Sequence, residues 1–416
     1  MHENLEGLPN GYKMTELGPL PEDWQMVRLG ELACVRYGKA KPSTTGTIPV
    51  IGSGGVYSWS DKPLIQFPTL IIGRKGTAGQ VWLSEKMCWP ADTTFYLEWK
   101  QTIDVHFLHA WLILHPLSGE HAKTTLPSLQ RPDVENLLLP CPPVEEQRAI
   151  AYVLRTVQQA KEAAEKVIAA ARELKRSLMR HLFTYGSVPV EQADQVRLKD
   201  TELGPLPEHW RVVRLGEVVQ KTKLLDPRKQ PDRHFKYIDV SSISNESLAI
   251  VDHKIYFGKE APSRARKQIH YGDVIFATVR PYLKRIAKIP IEFDGHVCST
   301  AFCVLHPITK LLDGNYLFFA VSRDQFVEKV SEHQRGSSYP AVTDNDVLKE
   351  LLPLPPLEEQ REIARILHAV DEKIRTEETR KTALEALFKT LLHHLMTAKT
   401  RLPSALVAEH GGEKQL

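Results

Sequence analysis

Two stretches of the chain place cations beside residues that let a backbone approach a charged or flat ligand. In residues 72–77, Ile-Gly-Arg-Lys-Gly-Thr, two glycines flank Arg74 and Lys75, and Thr77 adds a hydroxyl. In residues 264–285, Arg264, Arg266, Lys267, Arg280, Lys284 and Arg285 put six cations within 22 residues, with Thr278 and Tyr282 among them. Guanidinium and ammonium groups neutralise phosphates, hydroxyls orient them, and glycine admits close approach. Two polar stretches add Lys123, Gln130 and Arg131, and then Gln334, Arg335, Ser338 and Tyr339. Arg and Gln are side chains whose donors and acceptors match guanine and adenine edges. Phosphate binding with base reading is the chemistry on offer. Solvated turns and a polar connector are the alternative reading of the same residues.

Catalytic signatures are sparse. There is no Gly-x4-Gly-Lys-Ser/Thr loop for nucleotide phosphates. The Gly-Ser-Gly-Gly run at 52–55 lacks the third glycine and following helix of a dinucleotide site and reads as a tight turn. The Asn/Asp-Pro-Pro-Tyr/Phe run of adenine methyltransferases is missing, and neither Asp92 nor Asp294 has the Glu-x-Lys companion of common nucleases. His393-His394 at a helix end reads as solvated rather than metal-binding. No catalytic residue, cofactor or metal is expected.

Composition sets outer limits. The 416 residues predict two to three domains, and 42% apolar with 25% charged residues is ordinary for a globular protein. No apolar run is long enough to span a membrane, and the first residues lack a signal peptide's apolar core. Five cysteines without Cys-x-x-Cys pairing fit a reducing cytoplasm. A net charge of +3 requires any nucleic-acid surface to be local.

The elements that must position these residues come twice. Residues 15–32 and 201–218 agree at 14 of 18 positions, at an offset of 186. Residues 138–157 and 351–370 agree at 13 of 20, at an offset of 213. The segments between differ almost entirely, so one scaffold carries two unlike inserts. Short β-prone runs at 70–72, 81–83 and 94–97, then a helix over 104–117, predict a mixed α/β first insert. Runs at 237–238, 254–256, 274–276 and 302–304, then a helix over 313–330, predict a second. After each Pro-Pro a helix of about 39 residues is expected, over 145–183 and 358–396. Heptad positions run from Ile150 to Leu182 and from Ile363 to Leu395, eight of ten apolar in each. The two should pack antiparallel as a spacer about 58 Å long, roughly 17 base pairs of B-DNA.

These motifs in combination resemble the specificity subunit of type I restriction–modification systems. The carrying residues are the two Leu-Gly…Leu-Pro…Trp…Leu-Gly frames (17–30 and 203–216) and the two Pro-Pro-x-Glu-Glu-Gln-Arg-x-Ile-Ala starts (142–151 and 355–364). Residues 272–281 and 72–76 add to them. The resemblance implies an α+β fold: two mixed α/β target-recognition domains separated by two long antiparallel coiled-coil helices, as a pseudo-two-fold internal repeat. The boundaries would be an N-terminal recognition domain over 1–144, a spacer helix over 145–183, a linker over 184–200, a C-terminal recognition domain over 201–357, a second spacer helix over 358–396 and a tail over 397–416. It implies a non-catalytic, cytoplasmic subunit that reads a bipartite, asymmetric site on double-stranded DNA. Two adenine-N6 methyltransferase subunits would dock on it, joined by motor-nuclease restriction subunits. A recognition module of another DNA-modification or phage-defence enzyme would share this plan.

Overall fold

The computed structural model describes residues 8, 10–43, 45–117, 128–336 and 340–412. Lys123, Ser338 and Tyr339 lie outside the described residues. The chain forms two compact units, Met1–Lys166 with Glu377–Leu416, and Val167–Thr376. Each unit takes one part of each long helix.

The repeated frames fold alike. Tyr12–Thr15 pairs antiparallel with Gly18–Pro21, and Leu198–Thr201 with Gly204–Pro207. The Thr-Glu-Leu-Gly sequence makes the turn: Gly18 and Gly204 take φ of 97° and 91°, where a side chain would be strained. The Thr15 and Thr201 hydroxyls donate to those glycines' carbonyls and accept from the Leu17 and Leu203 amides. The next strand of each frame pairs with the strand before Pro-Pro, Gln25–Arg28 with Leu138–Cys141 and Arg211–Arg214 with Leu351–Leu354. The two conspicuous repeats of each half are thus one structural piece.

The unlike inserts share a sheet. In the first, four antiparallel strands run in the order Ala33–Tyr37, Thr94–Trp99, Thr69–Gly73, Val81–Ser84. In the second, Val219–Gln220, Phe302–Pro307, Val274–Ala277 and Ile286–Lys288 repeat that order. A helix backs each, Val105–Leu114 and Gly314–Ser322. The inserts diverge in the second sheet, three-stranded around Ile48–Gly52 and four-stranded around His234–Ile238. The single helix expected over 313–330 is two, Gly314–Ser322 and Asp324–Glu332, broken at Arg323, whose φ of −62° and ψ of 142° are extended. Trp24, Phe95 and Phe107 anchor one core, Trp210, Phe276 and Tyr316 the other, each worth about 1.5–3 kcal/mol of burial.

The long helices run Val144–Tyr185 and Leu357–Met396, 42 and 40 residues. In the first unit they pack antiparallel: Ile150 and Leu154 share a cluster with Leu392 and Leu395, and Glu165 meets Lys381 at 3.1 Å. In the second, Leu182 clusters with Ile363 and Leu367, and Lys175 meets Asp371 at 2.6 Å. The heptad positions are buried or half-buried along both helices, while Leu174 and Leu387, equivalent in the repeat, face out.

The Glu-Glu-Gln motif clamps each insert to its helix. Glu146 accepts the Trp24 indole N–H at 3.1 Å, and Glu359 that of Trp210 at 3.0 Å. The Gln147 amide oxygen accepts from the Asp104 N–H, and Gln360 from the Asp313 N–H. Asp104 and Asp313 are the N-caps of the insert helices. The second carboxylate partner differs. Arg401 of the C-terminal segment binds both Asp23 and Glu146, whereas Glu359 takes His209 and lies against Gly186. Gly186, at φ 85°, leaves room that a Cβ would occupy 2.1 Å from the carboxylate.

Candidate nucleic-acid interface

In both inserts the strand-end loop and the pre-Pro-Pro segment come together. In the first, Lys75 bridges to Ser128, and the Leu129 N–H donates to the Arg74 carbonyl at 2.9 Å. In the second, Val279 bridges to Ala341, the Val342 N–H donates to the Thr278 carbonyl and the Arg280 N–H to that of Pro340. Ser128 and Ala341 are equivalent in the 213-residue repeat. Superposing the hydrogen bonds makes Gly76 the counterpart of Arg280. Both are left-handed, at φ of 74° and 48°. Glycine adopts this freely; arginine does so at a cost of about 1 kcal/mol.

The first loop is a three-part surface. Lys75 and Thr77 are exposed, while Arg74 spreads over the Tyr37 and Phe95 rings and donates to the Asp92 carbonyl. The Gly-Ser-Gly-Gly turn adjoins it: a Cβ at Gly73 would meet Ser53 at 2.9 Å. Gln130 caps the short helix Arg131–Glu135, and Arg131 is paired with Glu135 at 2.7 Å. Tyr57 and Trp59, half exposed on the strand leading from that turn, were not singled out in the sequence. Their alternation with buried Gly55 and Ser60 is weak, because the strand carries a bulge.

The second surface divides its candidates sharply. Arg264, Arg280, Tyr282 and Arg335 are exposed, and Arg335 also lies 3.5 Å from Asp346. Lys267 is buried and spends its ammonium on the Phe302 carbonyl and Asp344. Buried Thr278 donates to the Ala301 carbonyl, and Arg285 to those of Val240 and Ile243. Arg266 is held by the Ala265 carbonyl and Asp226, Lys284 by Asp324, and Gln334 is half-buried. A dense run of cations thus holds two populations, one building the loop and one displayed on it. Among the described residues no cluster of three or more His, Cys, Asp or Glu side chains could hold a metal. No described helix is long and apolar enough to cross a membrane.

The family model of the type I restriction modification DNA specificity domain matches residues 21–171 and 207–386. The chain belongs to this family. It is a type I restriction–modification specificity subunit, whose two family matches coincide with the two repeats described above. It is 25% identical to the type I restriction enzyme MjaVIII specificity subunit of Methanocaldococcus jannaschii over 92% of this chain and 94% of that one. It is 22% identical to the EcoDI specificity subunit of Escherichia coli over 84% and 81%. The crystal structure of a type I S subunit from M. genitalium shares the fold, with a TM-score of 0.62 at 18% identity, over 90% of this chain and 96% of the other. Within the chain, the two inserts differ in sequence while the frames and the starts of the long helices repeat.

Proposed function

We propose that this specificity subunit reads a bipartite, asymmetric site on double-stranded DNA, one half with each insert. The observation that carries the reading is the recurrence of one loop pair, on one sheet order, with different side chains displayed. Lys75, Thr77 and Gln130 serve the first half-site, and Arg264, Arg280, Tyr282 and Arg335 the second. Arg74 and Lys284 line the loops, and Lys267, Thr278 and Arg285 shape theirs from within. Cations bind phosphates and set register; Arg, Gln and the exposed aromatics reach base edges.

The repeated frames are the natural docking surfaces for two copies of an adenine-N6 methyltransferase subunit, with motor-nuclease subunits joining through them in the cytoplasm. Methylation and cleavage belong to those partners. This chain supplies placement, and its long helices act as a spacer. We take the recognition domains to end at 144 and 357, a reading supported by the start of a long helix at Val144 and at Leu357.

Methylome sequencing of a host carrying the complete system tests this. The expected result is methylated adenine in two unlike half-sites at a set spacing. Removing seven residues from each long helix should shift the spacing and keep both half-sites. Unchanged spacing in that variant would discard the spacer role; a single continuous or palindromic target would discard the two-reader role.

A further inference from the structure

The second unit contains a cleft of about 900 Å³, within the 300–1,000 Å³ range of sites that enclose a ligand. Its floor is the long helix Val144–Tyr185, through Met179, Arg180 and Phe183, and its far wall is the break between the two insert helices at Ser322–Gln325. Five cations line it, Lys175, Arg176, Arg180, Lys284 and Arg323, against two carboxylates, Glu173 and Asp324. Three of the cations are already neutralised: Lys175 by Asp371, Arg176 by Glu173 and Lys284 by Asp324.

Two guanidiniums remain. Arg180 has no hydrogen bond or ion pair among the described residues. Among the described residues Arg323 donates only to the Ala320 carbonyl, at 3.3 Å, and it lies 4.7 Å from the Phe183 ring centroid, with burial pulling its pKa below the usual arginine range. Arg180 is exposed, whereas Arg323 is part-buried, and the part-buried charge is costly unless a partner completes it. The break at Arg323 therefore delivers a cation into the cleft where a continuous helix would have carried it past.

The remaining walls are apolar: Phe183, Phe319, Met179, Leu203 and Leu248. Leu248 sits at φ 50°, unusual for a bulky residue. Bare phosphates gain nothing from such walls, whereas an acidic peptide with a large apolar side chain uses both. The floor and Leu203 belong to the repeated scaffold, not to the reading loops. At corresponding positions of the first unit, Phe388, His393 and Leu114 stand in place of Lys175, Arg180 and Arg323.

We propose that this cleft docks an acidic segment, bearing at least one large apolar side chain, of the methyltransferase subunit, and that its first-unit counterpart does not. The inference rests on the partner assignment above. Two equivalent partners would then be held unequally, the second with a salt-sensitive anchor.

The test uses the full chain with its methyltransferase subunit. Hydrogen exchange is followed in peptides covering residues 173–184 and 318–325, for the chain alone, with the methyltransferase subunit, and with duplex DNA alone. Protection by the subunit and not by DNA is expected. Arg180→Glu should weaken assembly about tenfold or more through like-charge contact, and Arg180→Lys should retain most of it. Protection by duplex DNA alone, or wild-type assembly by Arg180→Glu, would overturn the cleft's role. Failure of the wild-type chain to assemble at all would instead overturn the partner assignment.

Discussion

The two inserts solve one geometric problem with opposite residues. Each must turn sharply after the third strand of its sheet, beside the segment that leads to a long helix. The first insert turns at Gly76 and displays Lys75 and Thr77 around it. The second turns at Arg280 and accepts left-handed strain to put a guanidinium at the apex. A DNA-reading role for Arg280, as we propose, would account for strain retained where glycine would fit. The frames below show the reverse pattern: Trp24 and Trp210, Glu146 and Glu359, Gln147 and Gln360 repeat residue for residue, and so do the indole-to-carboxylate bond and the bond from the insert-helix N-cap to the glutamine. Likeness in this molecule tracks what holds it together, and on our proposal unlikeness tracks what it reads.

The largest expected effect tests the likeness. Trp24→Ala and Trp210→Ala each empty a fully buried site and should cost about 3–5 kcal/mol, in their own units. The abandoned carboxylates distinguish them, because Glu146 keeps Arg401 while Glu359 keeps His209. Removing residues 397–412 should therefore add to the Trp24→Ala defect and leave the Trp210→Ala defect unchanged, as urea unfolding followed by domain-resolved hydrogen exchange would show. Equal response of both units would mean that the C-terminal segment is not the first unit's clamp.

The next effect tests the unlikeness. Arg280→Ala should cost the assembled complex about 1–3 kcal/mol of DNA affinity if the guanidinium reads a base. Specificity should relax in one half-site only. Lys75→Ala, in the first insert, should weaken binding evenly across sequences and lower the salt slope by about one. Competition binding with a library randomised in each half-site separates these outcomes. Relaxation in both half-sites by Arg280→Ala would contradict one reader per half.

Much of this was legible before the structure. The long helices announce themselves by heptads, and the duplicated frames by identity. The loops stand out because Gly, Arg and Lys cluster after apolar runs. Three things were not legible. The shared sheet order of the inserts is invisible because strand pairing needs only a pattern of apolar faces, which unlike sequences satisfy equally. Lys267, Thr278 and Arg285 look like their exposed neighbours in a one-dimensional run. Only the fold shows that nearby carbonyls and Asp344 consume their donors. The break at Arg323 carries no Pro or Gly, so local propensity does not report it; at the break the guanidinium lies 4.7 Å from the Phe183 ring centroid, a contact between distant parts of the chain.

A smaller effect separates stability from reading at the two apices. Gly76→Ala places a side chain at φ 74° and should destabilise the first unit by about 1 kcal/mol. Arg280→Gly relieves the corresponding strain in the second. It should leave stability unchanged or raise it slightly, while losing the DNA affinity that Arg280→Ala loses. Thermal unfolding beside DNA titration checks the pair. A destabilised Arg280→Gly would show that the arginine's place is structural, and the contrast drawn between the inserts would lose its basis.

The smallest effect concerns acid. His106 and His109, on the helix behind the first sheet, have pKa values lowered chiefly by burial, with Arg155 acting next on His106 and His106 next on His109. In the second unit His368 is lowered by burial and then by Lys288. A histidine whose folded pKa lies below its unfolded value of about 6.5 contributes stability that is present above that pH. The contribution is lost as pH falls from there through the folded value, since the unfolded chain takes up protons first. Both units should therefore weaken between pH 7 and the acid side of 6. His109→Phe, which installs the aromatic found at the corresponding Phe318, should flatten the dependence in the first unit alone. Hydrogen exchange in residues 105–114 and 314–322 across that range measures the two separately. An unaltered slope in the first unit would assign its acid sensitivity to other groups, and the two insert helices would then differ in sequence without differing in this response.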